Sequence, residues 1–429
     1  MRYESLEVWI DAEFTGLKHI GQMHHEHGHI RFEYTDTWLE SPFRFNIDPH
    51  LTLNKGSFHP RPEIGCFGML LDSSPDRWGQ LLMKRREAQE AKDENRKPKG
   101  LYAWDYLIGV QDKTRQGALR YKPSGSDIFL GSHDLPAPPV TCLQELQEIG
   151  TSLSDKRIDD LDALRKWLSV LVAPGASLGG ARPKANFTEH DGSLWIAKFP
   201  AKDDDMDIAS WEMLTHSLAR QSGIEVPRAK LFQFGKNHHT FCVERFDRQG
   251  EHRVFYASAM TLLEANHSEG YGYLDLAQVI QDQGNPEHIK KDLEQLFRRV
   301  VFNIMVGNKD DHLRNHGFVL DARGWRLSMA FDMNPNIDKH DHVLNIDGSS
   351  SIPSVENAIN SGAFYDLKDG EANSIVEEIG YVVSTWKKEA NDRQIARAEI
   401  ELMEQAFSEC ESHKDRPGIK TKKSKRFSP

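Results

Sequence analysis

The residues with the plainest chemical potential lie in 302–332, FNIMVGNKDDHLRNHGFVLDARGWRLSMAFD. Asp310 precedes Asn315 by five positions, and Asp332 follows as a second acid. Phosphoryl transfer to a hydroxyl needs these parts. One carboxylate orients or receives the hydroxyl proton, while an amide oxygen and another carboxylate hold magnesium, a hard cation that prefers oxygen ligands. A solvated Asn/Asp-rich turn would have the same composition, so the reading rests on support elsewhere. Upstream, SLGGARPK opens a hairpin whose next strand, SLWIAKF, carries Lys198 between apolar neighbours. A lysine there is an edge-strand snorkel or a phosphate clamp. Glycines let the main chain approach phosphates closely, although neither the GxxxxGK[ST] nor the GxGxxG order is present. Glu212, on the following amphipathic segment IASWEMLTHSLARQSG, is the acid that would pair with that lysine.

These side chains need a scaffold. The stretch 302–332 reads as the end of a helix at Gly307, a polar loop, two short strands and an acid after the second. Residues 5 to 60 alternate apolar and polar in short segments, a small β-rich unit. His24, His25, His27 and His29 fall on a hairpin there and lack converging partners for a metal. In SSPDRWGQLLMKRREAQEA, Ser73 or Ser74 is the expected N-cap, Pro75 the first turn, and Leu81 with Leu82 the apolar face. An apolar helix, LYAWDYLIGV, and a short strand, RQGALRY, follow. Residues 161–172 have helical spacing, Thr240–Val243 reads as a strand, and two long helical segments fall at 274–281 and 290–306. Near 344, LNIDGSSS reads as a short strand and a polar turn. Amphipathic helices then close the chain before a basic tail without apolar periodicity.

A chain of 429 residues can bury two or three cores. Its 38% hydrophobic and 28% charged residues suit a soluble protein, and no run has the length of a membrane span. The beginning of the sequence lacks the pattern of a secretory signal. Four widely spaced cysteines point to reduced thiols in the cytoplasm. A net charge of -11 argues against a broad nucleic-acid-binding face.

In order, these pieces resemble the HipA family of bacterial serine/threonine kinases, the toxins of HipA–HipB toxin–antitoxin pairs, over nearly the whole chain. VWIDAEFTG, SSPDRWG and RQGALRY are similar to signatures of that family's N-terminal domain, SLGGARPK to its phosphate loop, VERFDR to its interlobe connector and GNKDDHLRNHGF to its catalytic loop. The gap from Asp310 to Asn315 is that between the catalytic acid and the metal-binding asparagine of protein kinases. The resemblance implies an α+β, two-lobed, protein-kinase-like fold. Residues 1–125 would form the N-terminal subdomain, 140–250 the kinase N-lobe, 251–412 an α-helical C-lobe, and 413–429 a disordered tail.

The resemblance also implies roles. Asp310 is the catalytic acid, and of the doublet Asp310-Asp311 the spacing selects the first. Asn315 and Asp332 hold Mg2+. Gly179, Gly180, Ala181, Arg182, Pro183 and Lys184 cover the ATP phosphates, and Lys198 contacts them. Glu244, Arg245 and Phe246 lie beside adenine, with His312 and Phe331 also at the nucleotide. Ser177 matches the serine that family members phosphorylate on themselves. Arg182 and Pro183 depart from the polar or acidic residues of some members. The implied partners are a HipB-like helix-turn-helix antitoxin, operator DNA through it, and a protein substrate such as an aminoacyl-tRNA synthetase. Two alternatives belong to other classes: an idle corepressor that only steadies a repressor on DNA, and a small-molecule kinase of similar fold.

Overall fold

The computed structural model describes residues 3–132, 137–154, 182–235 and 238–414. The expected helix at 161–172, the loop residues Ser177, Gly179, Gly180 and Ala181, and the basic tail beyond 414 lie outside the described residues.

The N-terminal unit is built on strand Ser5–Ala12. Leu6, Val8, Ile10 and Ala12 are buried on one face while the residues between them are half-buried, the period of a one-sided strand. It pairs antiparallel with Gly16–Glu26, which turns at His27-Gly28 into His29–Tyr34. The histidine cluster is therefore a hairpin, and His25 stacks on Trp104 at 4.9 Å. Leu119–Pro123 takes the other edge of Ser5–Ala12. The two-residue strands Arg248–Gln249 and His252–Arg253 extend the same sheet, through Ala12 opposite Arg253. The segment after VERF is thus stitched into the N-terminal sheet.

The helix that follows Pro75 differs in detail from its expected form. It runs Arg77–Asp93 with Asp76 as N-cap, whose carboxylate accepts the Gly79 N–H at 2.8 Å. Ser73 and Ser74 instead donate back to Leu70 O, finishing the preceding turn Gly68–Asp72. Leu81 is exposed; the buried face is Trp78, Leu82 and Met83. The expected strand near 344 is only an isolated bridge between Gly272 and Asn345.

A second, four-stranded antiparallel sheet has the order Lys184–Thr188, Leu194–Lys198, Thr240–Glu244, Ala229–Phe232. Alternation gives it two faces. Ala185, Phe187, Trp195, Ala197, Phe199 and Cys242 pack with Trp78, Leu82 and Met83 and with helix Leu143–Ser154. Ile196, Phe241 and Val243 face the other way, against Phe331. Lys198 lies two residues from Ile196, so the strand period puts it on the Phe331 side. Helix Ile208–Gln221 packs beside this sheet and buries Trp211, Glu212, Leu214 and Leu218.

The third unit is helical but not wholly so. Its centre is helix Ile289–Val306, buried over nearly its whole length after Asp292. A three-stranded sheet, Phe255–Ser258, Gly317–Asp321 and Gly324–Leu327, lies on it, and Glu371–Val383 and Ser408–Lys414 pack against its far side. The helix stops at Gly307, which is left-handed (φ 67°) and so close to Ala406 that a Cβ would come within 2.3 Å of its carbonyl oxygen. None of the four cysteines forms a disulfide.

Candidate active site

Lys198 ends its strand on the inner face, and two acids from separate elements meet its ammonium. Nζ lies 2.5 Å from Glu212 Oε1 and 2.7 Å from Asp332 Oδ1. All three groups are largely buried. Burial opposes each charge, and the ion pairs decide the outcome. Burial pulls the Lys198 ammonium down, but Asp332 and Glu212 outweigh it and hold the pKa above its ordinary value. Burial pushes Asp332 up, and Lys198 reverses this to hold it below. For Glu212, burial prevails over Lys198, and its carboxyl is held above the usual range.

Asp332 is left-handed (φ 59°), a conformation that aspartate tolerates better than most residues. It is fixed from both sides: Ala330 N donates to Glu225 O at 2.8 Å, and Thr215 Oγ1 on the Glu212 helix donates to Met333 O at 2.6 Å. Beneath the sheet, Lys198, Glu212, Phe241, Val243, Phe331 and Asp332 line a small hollow. A neighbouring slot is lined by Ile196, Val243, Phe246 and Phe331, and the two phenyl rings stack with centroids 5.5 Å apart.

The loop after Gly307 separates the two acids of the doublet. Asp311 is buried and fully engaged: it accepts from Tyr273 Oη at 2.6 Å and Asn303 Nδ2 at 2.9 Å, and pairs with His316 Nε2 at 2.7 Å. Burial raises its carboxyl, but His316 and Tyr273 more than compensate and hold it below the ordinary range. Asp310 is over half exposed and meets only the Lys339 ammonium among the described residues. Lys339 is brought there by the segment after Asp332: Asn336 N donates to Gly307 O at 2.9 Å, and Asn336 Oδ1 accepts the Lys339 N–H at 2.9 Å. Asn315 closes the 3-10 turn Leu313–Asn315 and is buried, with no hydrogen-bond partner for Oδ1 among the described residues. Asn334 Oδ1 and His312 Nδ1 are likewise buried without partners, and the His312 charge reaches Asp332. Asn334 Nδ2 donates to Asp332 Oδ1 at 3.4 Å, and an orphaned amide oxygen beside that carboxylate suits an oxygen-seeking cation and its phosphate ligands.

Other expected site residues are committed elsewhere. Arg182 pairs with Asp204, one contact being 2.8 Å. Lys184 Nζ lies 2.7 Å from Asp76 Oδ2, tying the hairpin to the N-terminal helix, though its charge also reaches Asp332. Glu244 is held by Arg228, at 2.6 and 2.7 Å. Arg245 is buried, clamped on Asp247 at 2.6 and 2.9 Å and donating to Thr114 O at 2.6 Å and Asn186 Oδ1 at 2.9 Å. From this connector, the Phe246 ring and the main chain remain to meet a ligand. Sequence reasoning missed Lys339 and Asn334, and nothing in their local pattern marks them.

A four-stranded sheet above a helical lobe, with a lysine, its helix acid and a post-strand aspartate joined between them, defines a two-lobed, protein-kinase-like α+β protein. HipA in the Shewanella oneidensis complex of HipA, HipB and operator DNA superposes with a TM-score of 0.66 at 18% identity, over 95% of this chain and 97% of that one. Residues 176–386 match the HipA-like C-terminal domain. A putative kinase of Haemophilus influenzae is 28% identical over 167 residues, 34% of this chain and 48% of its own. The serine/threonine-protein kinase toxin HipA of S. oneidensis is 25% identical over 190 residues, 37% of this chain and 43% of its own. The chain thus spans less than half the length of these two relatives. A putative kinase of Sinorhizobium fredii is 24% identical over 373 residues, 78% of this chain and 77% of that one. Residues 176–386 are thus similar to the HipA-like C-terminal domain, and the chain shares the fold of HipA.

Proposed function

We propose that this protein is an ATP- and magnesium-dependent serine/threonine kinase that acts as the toxin of a toxin–antitoxin pair. The observation that carries the reading is the single ammonium of Lys198 shared by Glu212 and Asp332. A kinase needs that lysine beside the phosphates, that glutamate behind it and that aspartate on the metal. Asp310 stands free of the buried network to orient an acceptor hydroxyl. Lys198 and the 179–184 backbone position the nucleotide, with Phe246 and Phe331 flanking the base. Asn315 and Asp332 would hold magnesium, which supplies charge neutralisation on the phosphates. The protein's own part is positioning and electrostatic stabilisation.

Ser177 is the proposed autophosphorylation site. A phosphate there would put nearly two negative charges on a loop built to receive phosphates, and repulsion would expel it. The protein substrate belongs to translation, an aminoacyl-tRNA synthetase being the first candidate. The partner is a small helix-turn-helix antitoxin through which operator DNA is reached; the S. oneidensis structure holds HipA, HipB and operator DNA in one complex. Purified protein incubated with Mg-ATP should gain phosphate at Ser177, read by mass spectrometry. Asp310→Gln should gain none, and retained incorporation would refute the role given to Asp310.

A further inference from the structure

A second cavity, of about 240 Å³, opens between the N-terminal unit and the helical lobe. It is lined on one side by Asp48, His50, Arg61 and Asp72, and on the other by Glu264 and Arg314. Glu63 also lines it and is exposed, whereas Asp48, Asp72 and Glu264 already have partners. Asp48 accepts the N–H groups of Met69 and His50 at 3.0 and 2.9 Å. Asp72 accepts from Ser258 N and Oγ, each at 2.7 Å. Glu264 is paired with both Arg61 and His50, the latter at 3.1 Å.

Arg314 is different. It is half-buried and makes no hydrogen bond or close ion pair with any described residue; only its field reaches Asp72. A guanidinium has five N–H donors and no acceptor, in a planar fork that matches a carboxylate. The Arg314 guanidinium therefore lacks an acceptor among the described residues, and an anionic group would supply it. The position of Arg314 says whose. It sits in the same 3-10 turn as Asn315, four residues after Asp310, and the turn is pinned by the Leu313 N–H on Ser268 Oγ at 3.1 Å.

We propose that this cavity receives an acidic side chain of the protein substrate, held by Arg314 and close in sequence to the hydroxyl that is phosphorylated. The proposal rests on the kinase reading and makes Arg314 a specificity-determining residue. The test is an oriented peptide library with a fixed central serine, incubated with the full chain and Mg-ATP. The wild type should select Asp or Glu at one flanking position. Arg314→Ala should lose that selection, with kcat/KM for the matched acidic peptide falling about ten- to a hundredfold, the scale of a charge-assisted hydrogen bond. Arg314→Lys should retain part of the selection, and Arg314→Glu should turn it toward Lys or Arg. Leu71→Trp, which narrows the cavity without changing a charge, should weaken the same preference. A wild type that phosphorylates the library without acidic selection, or an Arg314→Ala variant that keeps it, would overturn the proposal and leave the kinase reading standing. A wild type that phosphorylates nothing would overturn both.

Discussion

Replacing Lys198 with methionine tests the buried triad without any assay of turnover. Glu212 and Asp332 touch the same nitrogen, so their oxygens lie no more than about 5 Å apart. Without the ammonium, two carboxylates at that distance repel by about 3 kcal/mol at an effective dielectric constant near 20. Losing one partner of a buried pair costs a comparable 3–5 kcal/mol, roughly, in other proteins. The expected loss in Lys198→Met at neutral pH is therefore about 3 kcal/mol. The variant can escape by protonating Glu212, whose carboxyl burial already pushes up. With Lys198 gone, the folded-state pKa of Glu212 stands still further above its unfolded value. The folded protein then binds the additional proton, so the deficit grows as pH rises between those two values and shrinks below them. Adding Glu212→Gln should restore much of the lost stability, because one charge of the repelling pair is removed. Urea unfolding of the wild type, both single variants and the double variant, at pH 5.5 and 7.5, completes the cycle. A Lys198→Met protein as stable as wild type at both values, or a double variant no better than the single, would refute the assignment.

Further outcomes follow from individual residues. Asp310→Asn should lower phosphotransfer about a hundredfold or more while leaving the unfolding midpoint near wild type, whereas Asp311→Asn, which disturbs the bonds from Tyr273, Asn303 and His316, should cost about 3 kcal/mol of stability. Parallel kinase assays and denaturation curves separate the two. Burial holds His342 down to about 4, against an ordinary 6.5. The unfolded chain therefore takes up a proton that the folded one refuses, and stability should fall by about 3 kcal/mol as pH drops through that window. His342→Gln should flatten that part of the pH–stability curve. Gly307→Ala should lose more than about 2 kcal/mol in thermal unfolding, since its left-handed φ and the Ala406 carbonyl both exclude a Cβ.

Much of the site was legible because its elements are local. Alternation alone puts Lys198 on the opposite face from Trp195 and Ala197. The 3.6-residue period places Glu212 on a helix, and a glycine ends the helix before the Asp310 loop. What the sequence by itself determined was therefore which element holds each candidate side chain and which face of that element it occupies.

Only the tertiary structure decided their partners. The doublet Asp310-Asp311 consists of identical side chains, and one is buried on Tyr273 and Asn303 while the other stays in solvent. Lys184 and Arg245 share motifs with site residues yet are spent on Asp76 and the Thr114 carbonyl, because the N-terminal unit packs against those strands. Glu212 is the acid the sequence pairs with Lys198, but Asp332 comes to share the same ammonium only when three elements converge. Periodicity records the face a side chain occupies. Its partner depends on what packs against that face, and this is a property of non-local contacts.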